Sequence, residues 1–362
     1  MRAVSELGFS PQDRIGNYRV ERELGPSGSG ILIEVHHLVL PRKAILKVVH
    51  PAFAGVQLFV LQTLREACIL EAIEHPGVPI VYEAGVLKDR RPWFAFEAIA
   101  GPTLEELLVA GPLSLIRAAW LICDLAEVLD HAHRRGVIHR GLRPDRIVVT
   151  SGRRYPLCIP DWSEAMAHDA TSHLPPAASD GAGRYVAPEL AQQGAGRDHE
   201  LVDDRVDIFA LGVIAYRALT GSLPFPGVRG AAPHIAAQEL RPEIPLDLAK
   251  LIDSLLAADR FDRPSASEVR GELDWLFSAL DVLQPATTVA PPAAMLDPEL
   301  RSGHDAAMPE VVLEAMAEPA VPGQDVVQDP SPRLRRPRWT PDVQYRETTD
   351  VEIAIIEDDL AE

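Results

Sequence analysis

The chain has 362 residues, of which 47% are hydrophobic and 24% charged, and its net charge is −18. This composition is typical of a globular protein with a real core, and the acidic balance argues against nucleic acid or an anionic membrane surface as a partner. No apolar run is long enough to span a bilayer, and Met1–Asp13 lacks the apolar stretch of a signal peptide. The three cysteines are widely spaced, which argues against a disulfide framework or a zinc motif. We therefore expect a cytoplasmic protein.

The first hundred residues predict a small sheet with one helix. The predicted elements are strands over Val20–Leu24, Gly30–His36 and Lys43–Val49, a helix over Leu58–Ile73, and a strand over Trp93–Ile99. The apolar spacing of the helix predicts an inward face made of Leu61, Leu64, Ala67, Cys68, Leu70 and Ile73.

Helices dominate after Thr103. The segments Leu115–Arg135 and Leu246–Ala258 have amphipathic spacing, whereas Val206–Thr220 is apolar on nearly every side and should be buried all round. From Pro285 to Glu362 there are 11 prolines and a net charge of −10, so we expect a disordered tail. The predicted organisation is an N-terminal extension (1–15), a sheet-rich lobe (16–100), a helical lobe (101–283) and an acidic, proline-rich tail (284–362).

Short motifs occur along both lobes in a fixed order. They are Leu24–Gly30 (LGPSGSG), Ala44–Lys47 (AILK), Glu66, His139–Pro144 (HRGLRP), Asp161–Ser163 (DWS), Ala187–Glu189 (APE), Asp207 and Arg263. In this order and spacing the set resembles the bacterial serine/threonine protein kinases over roughly residues 16–283. The resemblance implies an α+β, two-lobed protein-kinase fold that binds Mg·ATP and transfers its γ-phosphate to protein Ser or Thr.

The resemblance implies a nucleotide site formed by Gly25, Gly30, Lys47, Glu66, Glu97 and Ile99. Ser27 replaces the family's middle glycine, and the bulkier Leu32 and Ile45 stand where the family has Val and Ala beside the adenine. Added methylenes in a close-packed slot are costly, and Phe96 closes the back of the pocket. We expect no resident cofactor, or only weak ATP with or without magnesium. A shifted pocket, an ordinary hairpin turn and a purely structural Lys47–Glu66 ion pair remain open alternatives.

The catalytic loop departs furthest from the family pattern. The family aspartate that accepts the substrate proton is Gly141 here, and the asparagine that ligates magnesium is Arg146. Asp161 is kept as a weak candidate for a metal ligand. We therefore assign no catalytic residue, since Gly141 has no side chain to accept a proton.

Residues that maintain the family's architecture are retained: His139, Asp207, Glu189 and Arg263. A preserved scaffold without its chemistry predicts a pseudokinase-like regulatory module that docks an active kinase or a kinase substrate. The alternatives are a divergent active serine/threonine kinase, with Asp145 as an unorthodox base, and nucleotide sensing without chemistry.

Two threonines in the tail are candidates for regulation. Thr348 and Thr349 lie in an acidic context similar to sites that bacterial kinases phosphorylate and forkhead-associated domains then bind. A forkhead-associated domain protein is therefore a third candidate partner, whereas the plain alternative is a solvated tail with two ordinary threonines.

Overall fold

The computed structural model describes residues 9–151, 153–167, 182–192, 202–225 and 234–283. The predicted tail, including Thr348 and Thr349, lies outside the described residues, as does the start of the predicted N-terminal extension. Both lobes belong to one compact unit that includes residues through Leu276. None of the helices in the described ranges is long and apolar enough to cross a membrane.

The first lobe is built on a six-stranded antiparallel sheet in the order β1-β2-β3-β4-β6-β5. Its strands are β1 (Arg14–Ile15), β2 (Tyr18–Ser27), β3 (Gly30–His37), β4 (Lys43–Val49), β5 (Val81–Val86) and β6 (Pro92–Glu97). The predicted strands are thus confirmed, with β4 at its predicted bounds. The edge strand β5 was not predicted, because Gly85 and the charged Glu83 interrupt its apolar pattern.

The two faces of this sheet have different roles. One face carries a core that includes Ile31, Ile33 and Leu46, all fully buried. Residues opposite each other in an antiparallel pair point to the same side. Because Leu32 pairs with Lys47 in register, these two residues share the other face. This face lines the cleft, the space between the sheet-rich lobe and the helical lobe.

Helix α1 (Gln57–Ile73) packs against the sheet through only half of the predicted face, since Ala67, Leu70 and Ile73 are buried. Leu61 and Leu64 are 51% and 39% exposed, and Cys68 is exposed as well. The buried face consists of Thr63, Glu66, Ala67, Ile69, Leu70 and Ile73. The prediction failed for Leu61, Leu64 and Cys68 because the helix is apolar on both sides, so spacing alone could not select the inner face. The buried, polar Glu66 marks it instead.

The second lobe is mainly helical. Its helices are α2 (Leu104–Val109), α3 (Leu115–His133), α4 (Pro188–Gln192), α5 (Arg205–Thr220), α6 (Ala237–Leu240), α7 (Leu246–Leu255) and α8 (Ala266–Leu283). As predicted, α5 is buried on nearly all sides. Helix α8 was not predicted from the sequence.

Four two-residue strands hold the loops of the cleft: β7 (Val137–Ile138), β8 (Val148–Val149), β9 (Leu157–Cys158) and β10 (Met166–Ala167). Strand β7 pairs with β10, and β8 pairs with β9. The loop 139–147 leaves β7 and enters β8, and the loop 159–165 connects β9 to β10. The two pairings therefore bring both loops to the same place.

Candidate active site

A buried ion pair connects the sheet to helix α1. The Lys47 Nζ on β4 lies 2.7 Å from Glu66 Oε2 and 3.0 Å from Oε1, and both side chains are 3% exposed. Burial raises the pKa of Glu66, and the charge of Lys47 offsets only part of that rise. Lys47 Nζ also lies 4.0 Å from Asp161 Oδ1. Three predicted site residues thus meet in the cleft.

Asp161 lies between two cations. Arg146 Nε is 3.2 Å from Asp161 Oδ2, on the side away from Lys47, and the Ser163 backbone N–H donates to Oδ1 at 3.0 Å. Burial by itself would raise the pKa of Asp161. The charges of Lys47 and Arg146 outweigh burial, and this pKa is held well below its ordinary value. The carboxylate is therefore ionised and already neutralised by side chains of the same chain.

The Arg146 guanidinium is held on three sides. Besides Asp161, its Nη2 lies 2.7 Å from Glu164 Oε1, and its Nη1 donates to the Gly141 carbonyl oxygen at 3.2 Å. The side chain is only 9% exposed. Burial lowers the pKa of Arg146, but Asp161 and Glu164 more than compensate, so the net change is a rise. Sequence reasoning missed Glu164, which only its position directly after Asp161–Ser163 could have suggested.

Gly141 lies against this arginine. A Cβ on Gly141 would collide with Arg146 Nη1 and would lie 3.0 Å from Glu164 Cδ. The backbone of Gly141 is not in the left-handed region that favours glycine. The absent side chain therefore makes room for the guanidinium.

The glycine-containing hairpin between β2 and β3 reaches down to the same loop. Ser27 pairs with Gly30, so the turn has two residues, and Gly28 adopts φ +58° at its first central position. A Cβ on Gly28 would lie 3.4 Å from Cβ and Oγ of Ser163. The tip of the hairpin thus lies next to the loop that bears Asp161.

The remaining predicted nucleotide residues border the cleft in different ways. A Cβ at Gly30 would be tightly placed, 3.0 Å from the Val48 carbonyl oxygen and 3.1 Å from Lys47 Cγ. Gly25 has φ +124°, and Ile99 is half-buried. The Glu97 carboxylate is paired with the Arg153 guanidinium.

The predicted architectural residues form two buried polar networks. Asp207 accepts hydrogen bonds from the backbone N–H groups of His139 and Arg140, at 2.8 and 2.7 Å, and it also contacts His133 Nε2 at 2.9 Å. Burial opposes the charge on Asp207, but the contacts with His133 and His139 together outweigh burial, and the pKa of Asp207 is lowered. The His139 ring packs 4.5 Å from the Trp162 ring. These contacts fix the loop that contains Gly141.

The second network lies in the helical lobe. Arg263 makes a bidentate pair with Glu189, with Nη–Oε distances of 2.6 and 3.0 Å, and Arg263 is fully buried.

The candidate alternative base, Asp145, is half exposed and lies 2.7 Å from Arg143 Nη2. Its carboxylate is thus directed to an arginine of its own loop.

The protein kinase domain model matches residues 18–275. The chain belongs to the protein kinase domain family, and the fold of its two lobes is that of protein kinases. The serine/threonine-protein kinase PknJ of Mycobacterium tuberculosis is 32% identical over 226 residues, which cover 62% of this chain and 37% of PknJ. The serine/threonine-protein kinase pkn2 of Myxococcus xanthus is also 32% identical, over 75% of this chain and 34% of its own.

A solved structure gives the same result for the fold. The crystal structure of the Mycobacterium tuberculosis PknI kinase domain superposes with a TM-score of 0.57 at 26% identity, over 74% of this chain and 99% of that one. The curated relatives are much longer than the matched region, and the alignments span only about a third of their length.

The family's magnesium ion does not fit this arrangement of side chains. In active kinases a carboxylate at the position of Asp161 and an asparagine at that of Arg146 hold the ion. Here the residue at the asparagine position is Arg146, and its guanidinium is ion-paired with Asp161. In the described ranges, no cluster of three or more His, Cys, Asp or Glu residues is arranged to hold a metal. The charge that a metal ion would supply beside Asp161 comes from Arg146 and Lys47.

Proposed function

We propose that the chain is a pseudokinase-like binding and regulatory module in which phosphotransfer is lost. The observation that carries this proposal is the Arg146 guanidinium, bound to Asp161, Glu164 and the Gly141 carbonyl oxygen. One side chain thereby takes the place of the metal ion and also fills the space of the missing base.

The chemical consequence follows from what phosphoryl transfer requires. The reaction depends on metal ions that neutralise the phosphates and on a carboxylate that orients the nucleophile. General-base assistance alone contributes roughly 10²–10⁴-fold to such a rate. Gly141 cannot give that help, and Asp145 is directed to Arg143. The loss of both contributions supports binding rather than catalysis.

The retained contacts support a role in docking. The Lys47–Glu66 pair, the Asp207 network and the Glu189–Arg263 pair maintain both lobes through contacts within the chain. We propose that the partner is an active kinase, a substrate of that kinase, or a forkhead-associated domain protein that binds a phosphorylated Thr348 or Thr349. Weak ATP binding, with or without magnesium, is compatible with this role but is not required for it.

Phosphate transfer from labelled ATP tests the proposal. The purified full chain is incubated with Mg·ATP or Mn·ATP and a generic basic substrate, next to Lys47→Ala and Asp161→Ala variants and an active bacterial kinase as the positive control. We expect incorporation by the wild type to equal that of the variants. Incorporation that both substitutions abolish would overturn the proposal in favour of a divergent serine/threonine kinase.

Capture of partners separates docking from nucleotide sensing. The tagged full chain is used as bait in extracts of the native host, with and without millimolar Mg·ATP. A docking module should capture the same kinase or substrate under both conditions. Capture that depends on Mg·ATP would contradict the proposal and would favour a nucleotide sensor.

A further inference from the structure

An open groove lies between helices α7 and α8, remote in sequence from the catalytic loop. It encloses about 390 Å³. Its floor consists of the buried side chains of Leu248, Leu251, Leu273 and Leu276. The ring of Trp275 forms one side and is 61% exposed, although tryptophan is a large apolar residue that is seldom left in water.

A glycine in the middle of α8 adds an independent observation. Gly271 lines the groove, and a Cβ built on it meets no atom within 4 Å. Glycine inside a helix lowers helix stability relative to alanine. The packing of the described residues therefore does not explain why a glycine stands here. The loss of helix stability is explained if the backbone or an aromatic ring of another molecule packs against Gly271.

The features of the groove favour a protein surface over a small ligand. Binding sites for small molecules have a few converging polar groups in an apolar cleft. The polar residues here are Asp247, Lys250 and Glu272, all exposed at the rim. The rim has charges of both signs. It can therefore form ion pairs with an identical rim, whereas a purely basic or purely acidic peptide would match only part of it.

We propose that the α7–α8 groove is an interface between two copies of this chain. Gly271 and Trp275 are four residues apart, so they lie on one face of α8 about 6 Å apart along its axis. When two copies of α8 pack antiparallel about a twofold axis, Trp275 of each copy lies over the space at Gly271 of the other. Such an interface is self-complementary, as twofold symmetry requires. Lys250 of one copy then faces Asp247 and Glu272 of the other.

Sedimentation equilibrium of the full chain tests this proposal. Over concentrations of about 1 to 100 µM, we expect the mass to rise from that of one chain, 39.5 kDa, to twice that value. Trp275→Ala should weaken association at least tenfold. The matched control is Phe261→Ala, which removes another aromatic ring that is 77% exposed but does not line the groove.

A second variant separates association from folding. Gly271→Leu adds a side chain at a position where a Cβ meets no atom within 4 Å, and it replaces a poor helix former by a good one. We expect the thermal stability of the monomer to be kept or raised while association is lost. A wild-type chain that stays monomeric at all concentrations would overturn the proposal, as would a dimer that neither Trp275→Ala nor Gly271→Leu weakens. The first result would leave the groove to another occupant, such as the chain's own C-terminal residues or a different protein.

Discussion

At the scale of single residues, Gly141 and Arg146 depend on each other. The backbone at Gly141 can be adopted by any residue, whereas a Cβ there collides with Arg146 Nη1. We expect Gly141→Ala to lower the free energy of unfolding by about 1–3 kcal/mol, the usual cost of overpacking. In an Arg146→Asn background the same substitution should cost clearly less, because only the closer approach to Glu164 remains.

Chemical denaturation of the wild type, both single variants and the double variant measures this coupling. An equal cost of Gly141→Ala in both backgrounds would show that contact with Arg146 is not what favours glycine at position 141. The result also bears on repair of the site, because restoring aspartate at position 141 requires Arg146 to be removed first.

Removal of Arg146 should create a cation site that the wild type lacks. Without the guanidinium, Asp161 and Glu164 are two carboxylates left close together and uncompensated on that side. Hard divalent cations bind such oxygen pairs. We expect millimolar Mg²⁺ or Mn²⁺ to raise the melting temperature of Arg146→Asn but not that of the wild type or of Arg146→Lys. An equal shift in all three proteins would contradict this explanation.

The low pKa of Asp161 predicts a specific dependence on pH. An aspartate whose folded pKa lies below its unfolded value of about 3.9 stabilises the protein above that pH, and the contribution is lost as the pH falls toward the folded pKa. Asp161→Asn should therefore cost about 3 kcal/mol at neutral pH, as for a broken buried pair, and less at about pH 3.

Urea unfolding of both proteins at the two pH values measures this change. Glu66 shifts in the opposite direction, since burial raises its folded pKa; the charge of Asp161 adds to that rise, so the comparison is made with Glu66→Gln present in both proteins. A difference between wild type and variant that is the same at both pH values would contradict the assignment of the shift to Asp161.

At the scale of elements, α1 shows where local pattern misleads. The sequence predicts that Leu61 and Leu70 both face inward, yet Leu61 is 51% exposed and Leu70 only 3%. We expect Leu70→Ala to lower the free energy of unfolding by about 2–5 kcal/mol and Leu61→Ala to change it by less than about 0.5 kcal/mol. Equal losses in a denaturation experiment would mean that Leu61 is covered.

Elements with a strong local signal could be predicted from the sequence. Strand β4 and helix α5 were found because their apolar runs differ in length: seven residues suit a strand, whereas sixteen suit a helix. The two-residue strands β7 to β10 have no such signal, since each is formed only by its partner. For the site, the motif residues were predicted, but Glu164 and Gln62 were not. Gln62 on α1 donates to the Ser163 carbonyl oxygen at 2.8 Å, a contact between residues 101 positions apart.

At the scale of the whole molecule, charged side chains connect the two lobes where nucleotide and metal act in active kinases. Lys47 and Glu66 belong to the sheet lobe, whereas Asp161, Arg146 and Glu164 belong to the helical lobe. Among these residues, the contact between the lobes is Lys47 Nζ to Asp161 Oδ1 at 4.0 Å, whereas the contacts within each lobe are 2.7 to 3.2 Å long, and the side chains of Lys47, Glu66 and Arg146 are nearly buried. Each of the three carboxylates therefore has a cationic side chain of the same chain beside it.

Titration with Mg·ATP, followed by the melting temperature of the full chain, tests this account most directly. Binding at a millimolar dissociation constant contributes under about 0.5 kcal/mol at millimolar ligand, which corresponds to a shift of about 1 °C. We predict that the wild type shifts by no more than this, and equally with or without magnesium. A shift of several degrees that requires magnesium would show that Arg146 does not exclude the metal, and it would contradict the account.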